Sequence, residues 1–438
     1  MFIDSGDKSE CYGCEACVQV CGVSAITMHE DEEGFRYPVV DSGLCVGCKK
    51  CREVCPHENI FFSAKHAKHS DDKYVFGGYN LDAETRFDST SGGAFTAIVD
   101  AFCDEDYVIF GAEADGLKVF HNYVTDKREL WRFRKSKYSQ SVIGTAYHDA
   151  KRFLVDGKKV LFSGTPCQIA GLLAFLDGVP QEKLLTVEVI CEGVPSPLYV
   201  RKLDDALEAE YGARIASIDY RYTGRSIFSR GKWDFQSMRL KLSKNAYWWG
   251  GLGRWDFEVM RITLMDKRHV LTKDRWFNPF WSIWLQHLMS RPSCYRCSFA
   301  CKDRTADITL GDLWGVHIYC PELYGENGGS SLVVCNTNKG REVFRKAERF
   351  MYGHELSFEE ALKYQSPMRR TISENPQRDR FMLDLRSGMS YEALNRKWAK
   401  RPTMNLLLQK YVWGNRQKVF VWKLAQIFRT NRRKQCIT

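Results

Sequence analysis

The feature that most constrains this chain is a cysteine pattern that occurs twice within its first sixty residues. Both occurrences have the spacing C-x2-C-x2-C-x3-C, and the eight cysteines are Cys11, Cys14, Cys17, Cys21, Cys45, Cys48, Cys51 and Cys55. The second occurrence lies 34 residues after the first, and the same offset aligns Gly13 with Gly47. The region is therefore an internal duplication as well as a pair of motifs.

This spacing predicts two [4Fe–4S] clusters held in the manner of a bacterial ferredoxin. A C-x2-C-x2-C turn supplies thiolates to three corners of a cubane, and the fourth thiolate comes from the other half of the duplication. The two predicted ligand sets are Cys11, Cys14, Cys17 and Cys55, and Cys45, Cys48, Cys51 and Cys21. Zinc knuckles are the alternative, but they usually pair one C-x2-C with a distant second pair, and no histidine ligand accompanies these cysteines.

Composition is typical of a globular protein from a reducing compartment. Hydrophobic residues make up 44% and aromatic residues 13% of the 438 residues. No apolar run is long enough to cross a bilayer, and acidic residues precede the first cysteine where a secretion signal would need an apolar core. In a reducing compartment, seventeen cysteines are more often metal ligands than disulfides. The expected location is cytoplasmic.

The net charge of +10 is concentrated in the C-terminal tail. Residues 401–438 contain nine Lys or Arg and no Asp or Glu, so the rest of the chain is nearly neutral and does not support a nucleic-acid-binding function. Apolar residues alternate with the basic ones there, which favours an amphipathic helix on an anionic membrane surface. A helix that docks on the protein itself, and a docking site for an acidic ferredoxin, are the alternatives.

From about residue 74 onward, predicted strands alternate with predicted helices. The strands are expected over residues 74–79, 107–112, 159–162 and 184–190. The helices are expected over residues 94–103, 145–155, 168–176 and 197–211. This alternation indicates an α/β region with a partly parallel sheet.

Four further cysteines are candidates to hold a third cluster. Cys167 and Cys191 follow two consecutive predicted strands, where open α/β sheets place their sites. Cys167 also begins a helix, whose N-terminus favours a thiolate. Cys294 and Cys297 form a C-x2-C pair, with Cys301 as a reserve ligand. Zinc at this pair, and inert buried thiols at Cys167 and Cys191, stay open as alternatives.

Two glycine-containing turns are candidates to hold a phosphate or the edge of a flavin through backbone N–H groups. One contains Gly92 and Gly93, and the other consists of Ser163, Gly164 and Thr165. In the simplest interpretation both are ordinary strand–helix turns. No G-x-G-x-x-G motif opens a helix, so a nicotinamide Rossmann site is not supported.

The order of these motifs resembles the coenzyme F420 hydrogenase/dehydrogenase beta-subunit family. The matching segments are residues 89–95 (STSGGAF), 137–141 (KYSQS), 158–172 (KKVLFSGTPCQIAGL), 189–197 (VICEGVPSP) and 294–315 (CYRCSFACKDRTADITLGDLWG). The resemblance covers about residues 74–335, and an N-terminal ferredoxin module is a common fusion in bacterial members of the family.

The resemblance implies an α/β domain that binds FAD and one [4Fe–4S] cluster. The implied cluster ligands are Cys167, Cys191, Cys294 and Cys297. The implied flavin contacts are Gly92, Gly93, Lys137, Ser139, Ser141, Ser163, Gly164 and Thr165, and the residues implied to shape the same site are Asp307, Gly311 and Asp312. Members of the family include F420-reducing subunits, a reductase of a chlorophyll hydroxymethyl group and bacterial proteins encoded among polysaccharide-biosynthesis enzymes. Oxidation of F420 is not implied for this chain.

A group of aromatic residues in the middle of the chain is a candidate lining for a different pocket, although such residues more often form core. These residues are Tyr247, Trp248, Trp249, Trp255 and Trp276.

The predicted fold class is an α+β ferredoxin-like 2[4Fe–4S] module, then an α/β mixed-sheet flavin and iron–sulfur domain, then a helical C-terminal tail. The predicted domains cover residues 1–65, 74–350 and 351–438.

The favoured functional hypothesis is a flavin-dependent oxidoreductase. Electrons from a low-potential donor such as reduced ferredoxin would pass through the clusters to FAD and then to an organic substrate of polysaccharide or lipid-linked sugar metabolism. The alternatives are a non-catalytic electron-transfer subunit that connects a donor to a partner enzyme, and a redox-sensing scaffold that has lost the flavin. Self-association, and peripheral contact with the inner membrane face through residues 401–438, are open expectations.

Overall fold

The protein is described by a computed structural model in which residues 1–59, 69–222, 259–324 and 329–411 are described, together with Val421, Leu424 and Ala425. No helix in this part of the chain is both long and apolar enough to cross a membrane. The strands are β1 Ile26–Glu30, β2 Arg36–Val40, β3 His69–Asn80, β4 Tyr107–Asp115, β5 Lys118–Val124, β6 Lys159–Gly164, β7 Leu184–Val189, β8 Ile215–Tyr222, β9 Val259–Leu264, β10 Val270–Asp274, β11 Ile308–Asp312, β12 Ser331–Thr337 and β13 Met351–Glu355.

The N-terminal module shows the duplication in its backbone. Gly13 and Gly47 have φ values of 67° and 69°, and both Glu15 and Lys49 have a φ of 61°. Each of these left-handed residues precedes a one-turn helix that carries a cysteine. The two halves therefore repeat one backbone conformation, which the sequence offset predicts. Strands β1 and β2 pair in antiparallel fashion between the two halves.

The larger region is built on an eight-stranded mixed sheet with the strand order β13-β3-β12-β11-β7-β6-β4-β5. Strands β4, β6, β7 and β11 are parallel neighbours, and β3 runs in the same direction because both β3 and β11 pair antiparallel with β12. The carboxyl ends of these five strands therefore meet at one edge of the sheet. The α/β mixed-sheet prediction is confirmed, and the four predicted strands of this region are all present.

Helices cover both faces of this sheet. Phe344 of one helix packs with Ile98 of another on one face, and Tyr147 packs with Phe162 on the other. The α-helices are Phe2–Ser5, Ala16–Gln19, Lys50–Glu53, Ala83–Asp88, Ala94–Phe102, Ala146–Val155, Pro166–Phe175, Pro197–Tyr211, Pro279–Trp284, Val316–Tyr319, Asn338–Ala347, Phe358–Lys363, Arg378–Arg386, Tyr391–Trp398 and Met404–Tyr411. The four predicted helices of this region are present within two residues of their expected starts.

A separate three-stranded antiparallel sheet has the order β10-β9-β8. It packs against a buried aromatic group that includes Phe280, Trp281 and Trp284, and Phe381 and Trp398 from the C-terminal helices join the same core. Of the aromatic residues predicted to line a pocket or a core, Trp276 is half-buried in a short 3-10 helix. The others, Tyr247, Trp248, Trp249 and Trp255, lie outside the described residues.

The C-terminal region is helical as far as it is described. Ser357 accepts a hydrogen bond from the backbone N–H of Glu360 and thereby caps the helix Phe358–Lys363, as its sequence predicts. The tail prediction concerns residues 401–438, of which residues 412–420, 422–423 and 426–438 lie outside the described residues. The membrane and docking interpretations of the tail therefore stay predictions.

Candidate metal centres and sheet-edge site

The first predicted ligand set lines a single pocket. Cys11, Cys14, Cys17 and Cys55 face a space of roughly 400 Å³, open mouth included, together with the apolar side chains of Met1 and other residues. Burial raises the pKa of the Cys14, Cys17 and Cys55 thiols. Four cysteines around one apolar pocket fit a [4Fe–4S] cluster, because iron coordination deprotonates thiols that burial alone would keep protonated.

The second predicted ligand set lies at the surface. Cys45 and Cys48 are exposed, whereas Cys21 and Cys51 are half-buried. Burial is the main cause that raises the pKa of Cys51, and the neighbouring Cys48 and Cys21 thiols raise it further. Cys51 therefore lies near one cysteine of its own motif and one of the other motif, which is the grouping that the sequence predicts for this cluster.

The third candidate set brings together four cysteines that are far apart in sequence. Cys167 opens the helix Pro166–Phe175 after β6, and Cys191 follows β7. Cys294 lies in a 3-10 turn that ends at Cys297. Burial raises the pKa of the Cys294 thiol, and the neighbouring Cys191, Cys297 and Cys167 raise it further. The structure therefore assembles the four residues that the family resemblance implies.

Burial and local hydrogen bonding act on the Cys167 thiol in opposite directions. Burial raises the pKa of Cys167 to about 11, whereas the Thr165 hydroxyl, 3.2 Å from its Sγ, lowers it. Burial likewise raises the pKa of Cys191 and of Cys297 to about 11. Metal coordination would deprotonate such buried thiols, and a helix N-terminus that favours the Cys167 thiolate stays a prediction.

No three His, Cys, Asp or Glu side chains in the described ranges converge closely enough to share a single metal ion. A cubane is larger than an ion, so its ligands surround a space and do not meet at one point. Cys301 directs its thiol to the carbonyl groups of Ser298 (3.5 Å) and Asp303 (3.1 Å). These contacts are not with the four cysteines of the third set.

A buried ion pair secures the loop that follows Cys297. Glu188 and Arg304 are 0% and 2% exposed, and the Arg304 Nε donates to the Glu188 carboxylate. Arg304 also donates to the carbonyl of Phe299 at 2.7 Å. Its Nη2 atom is buried with no hydrogen-bond partner, and its charge lowers the pKa of Cys191 and Cys297 against the larger effect of burial. A spare buried donor beside the third set fits an anionic cluster, whose sulfur atoms accept hydrogen bonds.

The first and third cysteine sets lie side by side. A Cβ atom at Gly171, four residues after Cys167, would lie 3.2 Å from the Cys14 Sγ. The Tyr12 ring packs 5.3 Å from the Phe299 ring and shares an apolar cluster with the half-buried Cys167 and Cys297. The Tyr147 hydroxyl bridges the carbonyl groups of Cys14 (3.1 Å) and Gln168 (2.7 Å). Sequence reasoning missed Tyr12, Tyr147 and the buried Arg291, because nothing in the local pattern indicates partners more than a hundred residues away.

The residues implied as flavin contacts do lie near the edge where the parallel strands end, but several of them are used internally. The Gly92 N–H donates to the Ser331 hydroxyl at 2.9 Å, and a Cβ at Gly92 would lie 2.5 Å from the Gly78 carbonyl oxygen. This glycine is therefore required by close backbone packing. Gly93, with a φ of 81°, precedes the first residue of the helix Ala94–Phe102.

The polar side chains of the other implied flavin contacts also bond within the protein. Ser141 contacts His121 at 2.9 Å, and His121 in turn contacts the Ser163 carbonyl at 2.9 Å. Lys137 donates to two backbone carbonyls, and burial lowers its pKa to about 8. Thr165 forms a capping box with Gln168. Gly164 is the last residue of β6, and Ser139 is half-buried in the loop that precedes the helix Ala146–Val155.

The three residues implied to shape the same site have structural partners. Asp307 accepts hydrogen bonds from Thr186 (2.9 Å) and from Thr337 (2.7 Å). A Cβ at Gly311 would collide with an isoleucine side chain at 2.5 Å. Asp312 pairs with Arg221 at 2.6 Å, close to the exposed Trp314. The implied residues therefore lie in neighbouring segments at this edge of the sheet. The carboxylates of Asp307 and Asp312 are already bonded within the protein.

Two regions of the chain match models of known protein families. Residues 157–355 match the family model that describes the C-terminal part of the beta subunit of coenzyme F420 hydrogenase/dehydrogenase. Residues 10–59 match the model of a 4Fe-4S dicluster domain. A chain of the xenon-derivatised F420-reducing [NiFe] hydrogenase complex from Methanosarcina barkeri is similar at 16% identity, over 69% of this chain and 97% of that chain, with a TM-score of 0.40. No curated protein matches this chain.

Proposed function

We propose that this chain is an iron–sulfur oxidoreductase fed by a low-potential electron donor. The support is that residues 157–355 match the model of the coenzyme F420 hydrogenase/dehydrogenase beta subunit and residues 10–59 match the model of a 4Fe-4S dicluster domain. The donor is proposed to be reduced ferredoxin or a similar carrier. The full proposal has three [4Fe–4S] clusters and an FAD that passes electrons to an organic substrate.

The observation that carries this proposal is the adjacency of the first and third cysteine sets. Gly171 lies directly against Cys14, and Tyr12 packs beside Cys167 and Cys297. The second set contains two exposed cysteines, the first set lines a pocket, and all four cysteines of the third set are half-buried. We propose that electrons pass from the second set through the first set to the third. When bound, each cluster supplies one-electron redox chemistry.

The side chains around the cysteines have separate tasks in this proposal. Tyr12, Phe299 and Ala170 exclude water from the space between the first and third sets. Arg304 holds the loop after Cys297 through its bonds to Glu188 and to the Phe299 carbonyl. Burial places the charge of the first and third sets in a medium of low dielectric, where nearby dipoles and cations act strongly on it.

We propose the sheet edge as the flavin site, with the implied contacts Gly92, Gly93, Lys137, Ser139, Ser141, Ser163, Gly164 and Thr165 as its surrounding loops. The support is positional, because ligands of open α/β sheets bind outside the carboxyl ends of the strands. Exposed apolar residues lie at this edge: Val189 is 45% and Trp314 is 42% exposed. A flavin would convert single electrons into a two-electron delivery.

A non-catalytic electron-transfer subunit is the second candidate. It is favoured by the internal hydrogen bonds of Lys137, Ser141 and Thr165, which hold the loops together and leave few free groups for a ligand. The description of the matching family model as a beta subunit is also consistent with a chain that works with partner subunits. A substrate from polysaccharide or lipid-linked sugar metabolism rests on the family resemblance alone.

Iron, sulfide and flavin stoichiometry of anaerobically reconstituted protein tests the proposal. Three clusters predict about twelve iron atoms per chain. The variants Cys191→Ser and Cys294→Ser should each lose about four iron atoms, whereas Cys320→Ser, a buried thiol outside the three sets, should lose none. About eight iron atoms in the wild-type protein would remove the third cluster, and absence of flavin would favour the electron-transfer subunit.

A further inference from the structure

Arg291 is a buried cation that joins the first and third cysteine sets. Its side chain is only 1% exposed. The Nε atom donates to the Cys11 carbonyl at 2.8 Å, and the Nη2 atom lies 3.5 Å from the Cys11 Sγ. Its backbone carbonyl accepts the N–H of Cys294 at 2.9 Å. One residue therefore contacts a ligand of each set, although Cys11 and Arg291 are 280 positions apart.

The remaining hydrogen-bonding groups around Arg291 are neutral. Nη1 donates to the Gln140 side chain at 3.1 Å, and Nη2 donates to the Arg36 carbonyl at 2.9 Å. Gln140 in turn donates to the Tyr12 carbonyl at 2.7 Å, so the guanidinium and the first cysteine loop form one network. The guanidinium also lies over the Tyr37 ring, 4.3 Å from its centroid.

No carboxylate neutralises Arg291 among the residues that the structure describes. Glu15 feels its charge but is itself paired with Arg36 at 2.9 Å. The groups that act most strongly on the guanidinium, after burial, are Cys11, Tyr37 and Cys294. A buried charge without a counter-charge is costly, and the two cysteine sets are the anions that would surround this cation when they hold clusters.

We propose that Arg291 is the shared counter-charge of the first and third clusters and that it raises the reduction potentials of both. The inference rests on the proposed function only through the presence of these clusters. Adding an electron makes a cluster more negative, so a nearby buried cation stabilises the reduced form. When bound, each cluster would accept one electron from the low-potential donor of the proposed function, and no bond of Arg291 would form or break. Among the described residues, the hydrogen bonds of the Arg291 side chain go to Cys11, Gln140 and Arg36, and not to a cysteine of the second set.

Redox titration of the anaerobic holoprotein, followed by EPR, tests the assignment. The EPR signal that is lost in Cys48→Ser belongs to the second cluster, and the signal that is lost in Cys294→Ser belongs to the third. The remaining signal belongs to the first cluster. Replacing the cation in Arg291→Gln should lower the potentials of the first and third clusters by an amount equal to at least a tenfold change in equilibrium constant, about 59 mV for one electron. The potential of the second cluster should not change.

Two further variants make the result specific. Arg291→Lys keeps the charge but loses the two-pronged contact with Cys11, so it should shift the potentials less than Arg291→Gln. Arg296→Gln removes an exposed arginine from the same 3-10 turn and should leave all three potentials at their wild-type values.

Unchanged first-cluster and third-cluster potentials in Arg291→Gln would overturn the proposal, as would an equal shift of all three. If iron analysis finds only two clusters, the proposed third cluster fails, and the first-cluster potential still decides the role of Arg291. If Arg291→Gln does not fold, Arg291→Met, which also removes the charge, answers the same question: a lowered first-cluster potential at full iron content supports the proposal, and an unaltered one overturns it.

Discussion

His121 is a buried neutral histidine that ties together two loops near the sheet edge. It contacts the Ser141 hydroxyl and the Ser163 carbonyl, and its ring stacks on Phe162 at 5.2 Å. Burial lowers the pKa of His121 to about 4. Its protonated form is therefore strongly disfavoured in the folded protein.

Because the pKa is lower in the folded state than in the unfolded state, the stability contributed by neutral His121 is present above pH 6.5 and is lost as the pH falls toward 4. We expect the free energy of unfolding to fall by about 2 kcal/mol between pH 7 and pH 5 from this residue alone. Urea unfolding of the wild type and His121→Gln at both pH values measures the effect. The variant should lose this part of the pH dependence, whereas His29→Gln, at an exposed position, should keep it. Equal pH dependence in wild type and His121→Gln would contradict the expectation.

At the scale of secondary-structure elements, the sequence predicts local structure well and long-range contacts poorly. Short apolar runs predict β4, β6 and β7, and helical periodicity predicts the helices between them, because both signals are local. The ferredoxin-type cysteine sets follow from spacing for the same reason. The pairing of Tyr12 with Ser298, 286 residues away, has no local signal. The internal hydrogen bonds of Ser141 also have no local signal, because its partners His121 and Gln168 lie 20 and 27 residues away.

The ion pair between Glu188 and Arg304 connects β7 to the loop that follows the third cysteine set. The Thr309 hydroxyl donates to the same carboxylate at 2.8 Å, so the pair also fixes β11. Removing one member leaves the other as an uncompensated buried charge, which costs about 3–5 kcal/mol. We expect Arg304→Met to lower the free energy of unfolding by this amount and to release about four iron atoms per chain.

The matched control is Arg152→Met, which breaks a surface pair with Asp149 (2.8 Å) and should leave the free energy of unfolding close to the wild-type value. Iron analysis and urea unfolding on the same preparations give both readouts. Full iron content in Arg304→Met would show that the loop holds the third cysteine set without this pair.

At the scale of the whole molecule, the N-terminal module shares its core with the larger region. Cys14, Ala16 and Val54 pack in the same apolar cluster as Tyr147 and Phe162. The sequence predicts separate domains over residues 1–65 and 74–350, because the cysteine motifs end before residue 65 and the alternation of strands and helices begins near residue 74. The packing places the module against the helices Ala146–Val155 and Pro166–Phe175, the second of which carries Cys167.

A second anchor fixes the far side of the module to the C-terminal helices. Arg378 donates to the Glu33 carboxylate at 2.6 and 3.1 Å and to the Ser290 carbonyl at 3.1 Å. Glu33 lies in the turn between β1 and β2, and both side chains are buried. Ser290 directly precedes Arg291, so this anchor also supports the segment that joins the first and third sets.

Breaking this anchor should destabilise the whole protein and not only the module. Arg378→Met leaves Glu33 as a buried unpaired carboxylate and should cost about 3–5 kcal/mol of unfolding free energy. The double variant Glu33→Gln/Arg378→Met removes both charges and should cost less than Arg378→Met alone. Arg386→Met on the same helix breaks only a longer pair with Glu32 (3.5 Å) and should cost about 1 kcal/mol or less.

Urea unfolding followed by both far-UV circular dichroism and cluster absorbance measures these values. If the module is rigidly joined to the larger region, the two signals shift together in Arg378→Met. A shift of the cluster signal alone would mean that the module unfolds independently, and the adjacency of the first and third sets would then depend on local contacts only.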